Sequence, residues 1–351
     1  MQRLSMRAAF GKTGLEVPPI IFGTSCLGNL YQALPWDTKL AIMREWFKWV
    51  EPPVALDSAG KYGAGLALEV IGRGLRELGV ASEQAVISNK LGWVRAPLRT
   101  PEPTFEPGVW ADLEHDAEQR ISYEGILECY EQGCELLGGD YAPEIVSVHD
   151  PDEYLAQAAS DGERKARFED IVGAYRALGE LKAQGPAKAV GVGAKDWRVI
   201  RELADAVELD WVMFACSLTV MRHPPELLSF MGELASRGIA IINSAVFHAG
   251  FLTGGSFFDY REVSPGDEAD KELFEWRGRF FALCERFDVL PAEACIQFGM
   301  SVPGVVSIAL NTSKPSRVQQ NVAAVQAEIP SGFWAAMKEE GLVARDYAYV
   351  G

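Results

Sequence analysis

Eight short apolar runs of strand length recur along the 351 residues, separated by longer stretches whose apolar positions repeat with helical spacing. The runs are PIIFGT (19–24), VALDSA (54–59), AVISNKL (85–91), EIVSVHD (144–150), KAVGVGA (188–194), DWVMFAC (210–216), IAIINSA (239–245) and VVSIALN (305–311). Amphipathic helices are predicted near 37–50, 66–78, 121–137, 166–184, 196–206, 225–237, 291–301 and 315–326. Near-continuous apolar strands are buried on both faces, which implies a parallel sheet covered by helices. Eight strands alternating with helices fit a closed (β/α)8 barrel. A doubly wound open sheet would begin with a glycine-rich phosphate turn after its first strand, and GTSCLGNLY (23–31) is not one. The expectation is an α/β TIM barrel spanning 1–351 as one domain.

Three segments are longer than simple connections: 93–120, 151–165 and 246–275. Each follows a strand, so each is expected on the C-terminal rim, where barrel sites are built. They read as substrate-shaping insertions. Trp93, Trp110, Tyr154, Phe247, His248 and Phe251 are candidates for pocket walls or for core.

Charge narrows the partners. A net charge of −16 with no basic stripe excludes a nucleic-acid binder. Any anionic cofactor must then meet a locally positive pocket. No run approaches the ~18 apolar residues of a membrane span, and MQRLSMRAAFGKTGLEVP lacks a signal-like stretch. Six scattered cysteines without a CxxC pair fit reduced thiols, so a cytoplasmic protein with a small-molecule substrate is expected. Oligomeric state is not readable.

Candidate chemistry sits just past four strand positions. Asp57 and Tyr62 lie in VALDSAGKYG (54–63), Lys90 in VISNKLG (86–92) and His149 in IVSVHDPD (145–152). A phenol loses its proton near pH ~10. A neighbouring ammonium favours the phenolate, and a carboxylate holds that ammonium charged and in place. With an imidazole to orient an oxygen, the set suits moving one proton on and off a hydroxyl or carbonyl. Singly, each residue has an ordinary structural reading; together at strand ends they point to an enzyme. HxH spacing is absent, so no metal site is expected.

On these motifs the chain resembles the aldo-keto reductase family, from FGKTGLEVPPIIFGT (10–24) to the helix at 315–326. The matching pieces are DSAGKYG with Asp57 and Tyr62, SNKLG with Lys90, VSVHD with His149, and LGELKAQGPAKAVGVG before the fifth strand. The resemblance implies a barrel that binds a nicotinamide dinucleotide without a Rossmann domain, with Tyr62 as acid/base. SCLG, VHDPDEY and FHAGFLTGG look most like the branch of D-threo-aldose 1-dehydrogenases, L-galactose dehydrogenases and pyridoxal 4-dehydrogenases. That implies oxidation of a cyclic hemiacetal carbon to a lactone. A general NADPH-dependent carbonyl reductase is the alternative within the fold, and a non-catalytic barrel that senses nicotinamide is the alternative outside catalysis.

Cofactor contacts implied by the resemblance include Gly23 and Thr24 after the first strand. Gly193-Ala194-Lys195 stands where the family has Ser-Asn, and Ser244 where a tyrosine often stacks, with Phe247 as a possible substitute. After the last strand, Asn311, Thr312 and Ser313 lead into a helix whose Pro315 fits its first turn. Such an N-terminus suits phosphate. Arg317, Gln320 and Asn321 fall on one face and resemble the family's adenosine-phosphate clamp. Asn311 replaces a lysine usual in users of the 2′-phosphorylated cofactor, so NAD is favoured, with NADP possible through Arg317 and Lys314.

Overall fold

The computed structural model describes residues 2–259 and 261–351. Its centre is a closed barrel of parallel strands. In chain order they are β1 (Ile20–Gly23), β2 (Val54–Ala59), β3 (Ala85–Leu91), β4 (Ile145–His149), β5 (Ala189–Ala194), β6 (Trp211–Ala215), β7 (Ala240–Ser244) and β8 (Val305–Leu310). β8 pairs with β1 to close the ring. These are the eight predicted runs, most of them a residue shorter at one or both ends, where turn geometry begins.

The helices are α1 (Trp36–Trp49), α2 (Leu66–Glu77), α3 (Tyr123–Leu136), α4 (Pro151–Ala156), α5 (Asp161–Gln184), α6 (Trp197–Ala206), α7 (Pro225–Ser236), α8 (Lys271–Phe287), α9 (Pro291–Gly299), α10 (Pro315–Val325) and α11 (Ser331–Glu339). Their apolar faces and the outward-facing strand residues form one continuous core, including Leu56, Ile87, Val146, Val148 and Val192. Inside the barrel lies a separate core of Phe10, Ile21, Ala55, Val86, Ile145, Ala189, Trp211, Met213, Ala240 and Ile242. Phe10 belongs to the connection of an antiparallel hairpin, Ala8–Ala9 with Glu16–Val17, and its ring lies 6.0 Å from that of Trp211. Gly191 makes room for this indole: a Cβ there would stand 2.3 Å from the Trp211 ring. The N-terminal end of the barrel is therefore packed solid.

The inserted segments are more ordered than expected. Residues 151–165 are not an irregular loop: they form α4 and the first turn of α5. That helix starts five residues before the predicted 166 because Ser160 caps it, accepting from Glu163 N, while Glu163 returns a contact to Ala159 N. Segment 93–120 holds a hairpin of Trp93–Pro97 with His115–Gln119. Segment 246–275 holds a short turn at Phe251–Thr253 and a small hairpin at Phe257–Phe258 with Arg261–Glu262, then enters α8. Helices α4, α8 and α11 were not anticipated.

Candidate active site

Parallel register brings the polar strand residues together. Gly23 is paired with Asp57, Asp57 with Ser88, Ala59 with Lys90, Lys90 with Ser147, and His149 with Gly193. Two-residue alternation turns Asp57, Lys90 and His149 to the barrel interior above the apolar plug. Lys90 Nζ donates to Asp57 Oδ2, and Ser88 Oγ donates to Asp57 Oδ1 at 3.2 Å. Thr24 ties β1 to β2, its N–H and hydroxyl both donating to the Asp57 carbonyl.

Tyr62 arrives from the corner after β2. Gly28 and Gly63 let the 25–28 turn lie directly on that corner: a Cβ on Gly28 would sit 2.7 Å from the Tyr62 backbone, and Gly63 has φ +62°. The Tyr62 ring lies 5.6 Å edge-on from His149 and 5.8 Å from Trp110, with Lys90 Nζ 4.7 Å from its centroid. All four predicted residues are thus in one group.

Their protonation states differ from the simple expectation. Loss of water, followed by the charges of Asp57 and Asp150, pushes the Tyr62 phenol well above its usual value, against the pull of Lys61. At neutral pH the phenol is held protonated; the cations do not make it a resting phenolate. Burial and the charges of Lys61 and Lys90 push His149 well below the usual imidazole range, so it is neutral. Its Nδ1 is buried with no hydrogen-bond partner among the described residues, and Nε2 lies 3.5 Å from Asp150 Oδ2.

Lys61 was missed by sequence reasoning. Its buried ammonium meets Glu106 at 2.7 Å, Glu153 at 3.2 Å and Asp150 at 3.4 Å. Glu106 also accepts from Trp110 Nε1 at 2.7 Å, which fixes the indole against Tyr62. Charges of opposite sign flanking the chosen residues, in AGKYG and HDPDEY, were the available signal.

Of the other proposed pocket walls, Trp93 packs with Phe105 and Trp110 beside Tyr62. Tyr154 instead donates to Asp170 on α5, while Phe251 and His248 are fully buried. His248 is held by Thr219 at 2.7 Å and Asp259 at 2.6 Å. Cys216, His248 and Asp259 lie close enough together to be potential metal ligands among the described residues. Arg222 stands 3.1 Å from Asp259, so a cation already occupies that carboxylate.

The residues assigned to the cofactor form an arc from β5 through β7 and β8 to β1. Gly193 sits opposite His149. Ser244 is largely buried, and its hydroxyl donates to the Phe214 carbonyl at 3.1 Å; Phe247 is half-buried against the outer core. Asn311 donates to Ser25 Oγ at 2.8 Å, and Thr312 Oγ1 accepts from Lys314 N at 3.1 Å. No side chain caps the α10 N-terminus, where Lys314 precedes Pro315. Ser313 is partly exposed, Arg317 and Gln320 are exposed, and Asn321 is half-buried. Among the described residues neither Lys314 nor Arg317 is in any of the ion pairs found. In a chain of charge −16, an uncapped helix start beside two such cations is the donor set a diphosphate requires.

The sequence profile of the aldo/keto reductase family matches residues 19–340. Pyridoxal 4-dehydrogenase from Microbacterium luteolum is 28% identical, over 97% of this chain and 99% of that protein. D-threo-aldose 1-dehydrogenase from a Pseudomonas species is 27% identical, over 97% and 98%. L-galactose dehydrogenase from Arabidopsis thaliana is 24% identical, over 93% and 89%. The structure of an aldo-keto reductase from Bacillus halodurans, in its holo form, superposes with a TM-score of 0.68 at 18% identity, covering 98% of this chain and 97% of that one. This last likeness is one of fold.

Proposed function

The chain belongs to the aldo/keto reductase family and is an NAD(P)-dependent oxidoreductase, and from that premise we propose that it oxidises the C1 hydroxyl of a cyclic hemiacetal to a lactone. The substrate class is an aldose of the L-fucose, L-galactose or D-arabinose type. The observation that carries the reading is the meeting of a protonated phenol, a Lys90–Asp57 ion pair and a neutral imidazole at one barrel mouth.

In this reading Tyr62 takes the C1 hydroxyl proton in oxidation and returns it in reduction. Lys90 stabilises the phenolate during transfer, and Asp57 keeps Lys90 in place and charged. His149 orients the reacting oxygen. The bound dinucleotide supplies the hydride acceptor. Lys314, Arg317 and the α10 N-terminus would hold its phosphates, with Gln320 and Asn321 at the adenosine end and Gly23, Thr24, Gly193 and Phe247 near its other half. Asn311 offers no charge to a 2′-phosphate, which favours NAD.

Pyridoxal is a second substrate to test, because a pyridoxal 4-dehydrogenase is similar over nearly the whole chain. Its cyclic form also presents a hemiacetal carbon, and Trp93 and Trp110 provide aromatic surface beside Tyr62. A spectrophotometric screen of NAD and NADP reduction across these aldoses and pyridoxal decides the substrate. Tyr62→Phe is expected to abolish turnover while cofactor binding, followed by fluorescence titration, persists. Undiminished turnover in that variant sinks the assignment.

A further inference from the structure

Lys61 and Asp150 are not among the residues assigned a role above, yet Asp150 lies beside His149 and Lys61 is paired with Asp150. Asp150 Oδ2 is shared: Lys61 Nζ lies 3.4 Å from it on one side and His149 Nε2 3.5 Å on the other. Among the described residues the one carboxylate paired with the imidazole is Asp150, on the Nε2 side and at ion-pair rather than hydrogen-bond distance. Nδ1 is buried and faces no partner, so nothing draws the ring proton there. A neutral His149 therefore carries its proton on Nε2, on the side of the carboxylate.

We propose that Lys61 and Asp150 act as a positioning pair that keeps His149 neutral with its proton on Nε2. This rests on the reading of His149 as the group that orients the reacting oxygen; a ring of that tautomer is a hydrogen-bond donor to it. Asp150 alone would work against neutrality, since a carboxylate next to an imidazole favours the imidazolium. Lys61 counters this by pairing with Asp150 and placing a positive charge beside the ring.

The charges around His149 support the division of labour. Lys61 comes from the β2 corner, Lys90 from β3 and Lys195 from the segment after β5; each disfavours the imidazolium, while Glu153 on α4 favours it. Tyr62 and the Asp57–Lys90 pair complete the inner side. Glu106, from the 98–112 loop, and Glu153 are bound to Lys61 itself. Without Lys61, Glu106, Asp150 and Glu153 lose the ammonium they share, and the uncompensated Asp150 charge beside His149 favours the imidazolium.

The chain has only four histidines, so each imidazole can be followed by nitrogen-15 NMR without any turnover. In the native protein His149 is expected to show a protonated Nε2, a bare Nδ1 and no titration between about pH 5.5 and 8. In Lys61→Met its titration midpoint is expected to rise by at least ~1 pH unit, the effect of one charge at this range. Lys61→Arg should restore the native behaviour, and adding Asp150→Asn to Lys61→Met should pull the midpoint back down. A native His149 protonated on Nδ1 overturns the proposal, and needs no variant to fold. So does a folded Lys61→Met variant with an unmoved midpoint. Because these readouts do not depend on substrate, they separate failure of this pair from failure of the proposed activity. If the pair holds and the activity holds, the acid limb of kcat in Lys61→Met moves with the NMR midpoint.

Discussion

At Tyr62, lost hydration and then the charges of Asp57 and Asp150 outweigh the pull of Lys61, so the phenol is an acid at rest and a base only under alkaline conditions or when it is deprotonated during turnover. A phenol raised above ~10 is protonated throughout the neutral range. Oxidation, which needs it as a base, is expected to climb with pH and show no plateau below about 10; reduction, which uses the protonated phenol, is expected to stay level up to about pH 10 and to fall only above it. Initial rates in both directions from pH 6 to 10.5 check this, and an oxidation plateau near neutrality would contradict it. Asp57, Tyr62, Lys90 and His149 were legible because each follows an apolar run at a strand end. Lys61 was not, since its meaning lies in carboxylates more than forty residues away, brought to it by the fold. The same holds for His248 and Phe251: aromatic residues in a glycine-rich loop look like rim residues until packing buries them.

Elements show where periodicity is a sound guide and where it fails. The barrel strands were legible because burial on both faces leaves almost no polar residues to blur them. α8 was not, because charged residues interleave KELFEWRGRFFALCERF and only a narrow stripe of Phe280, Leu283 and Cys284 is buried. α5 begins early because capping, not hydrophobicity, decides where a helix starts. At the start of α10, Asn311 is exposed and its amide reaches Ser25. Asn311→Lys places a cation there beside Lys314 and Arg317, and is expected to shift the ratio of kcat/KM values at least ~10-fold toward the 2′-phosphorylated cofactor, a difference of about 1.4 kcal/mol. Steady-state kinetics with both cofactors measure it, and an unchanged ratio would remove Asn311 from the cofactor site.

Over the whole molecule, the interior divides into an apolar half and a polar half. Trp211 fills the former, packed against Phe10 and allowed by Gly191. Trp211→Ala is expected to cost about 3–5 kcal/mol of stability by emptying this space. Denaturant unfolding is the measurement, and a loss under 1 kcal/mol would mean the barrel collapses around the gap. The charge belongs to the same scale: against a net −16, Lys314 and Arg317 stand together at the start of α10. No helix among the described residues is long and apolar enough to cross a membrane.

The Phe10 hairpin has one more effect. By corking the narrow end, it makes the barrel a blind well with a single doorway. Reactant and product must then enter and leave from the opposite, polar end.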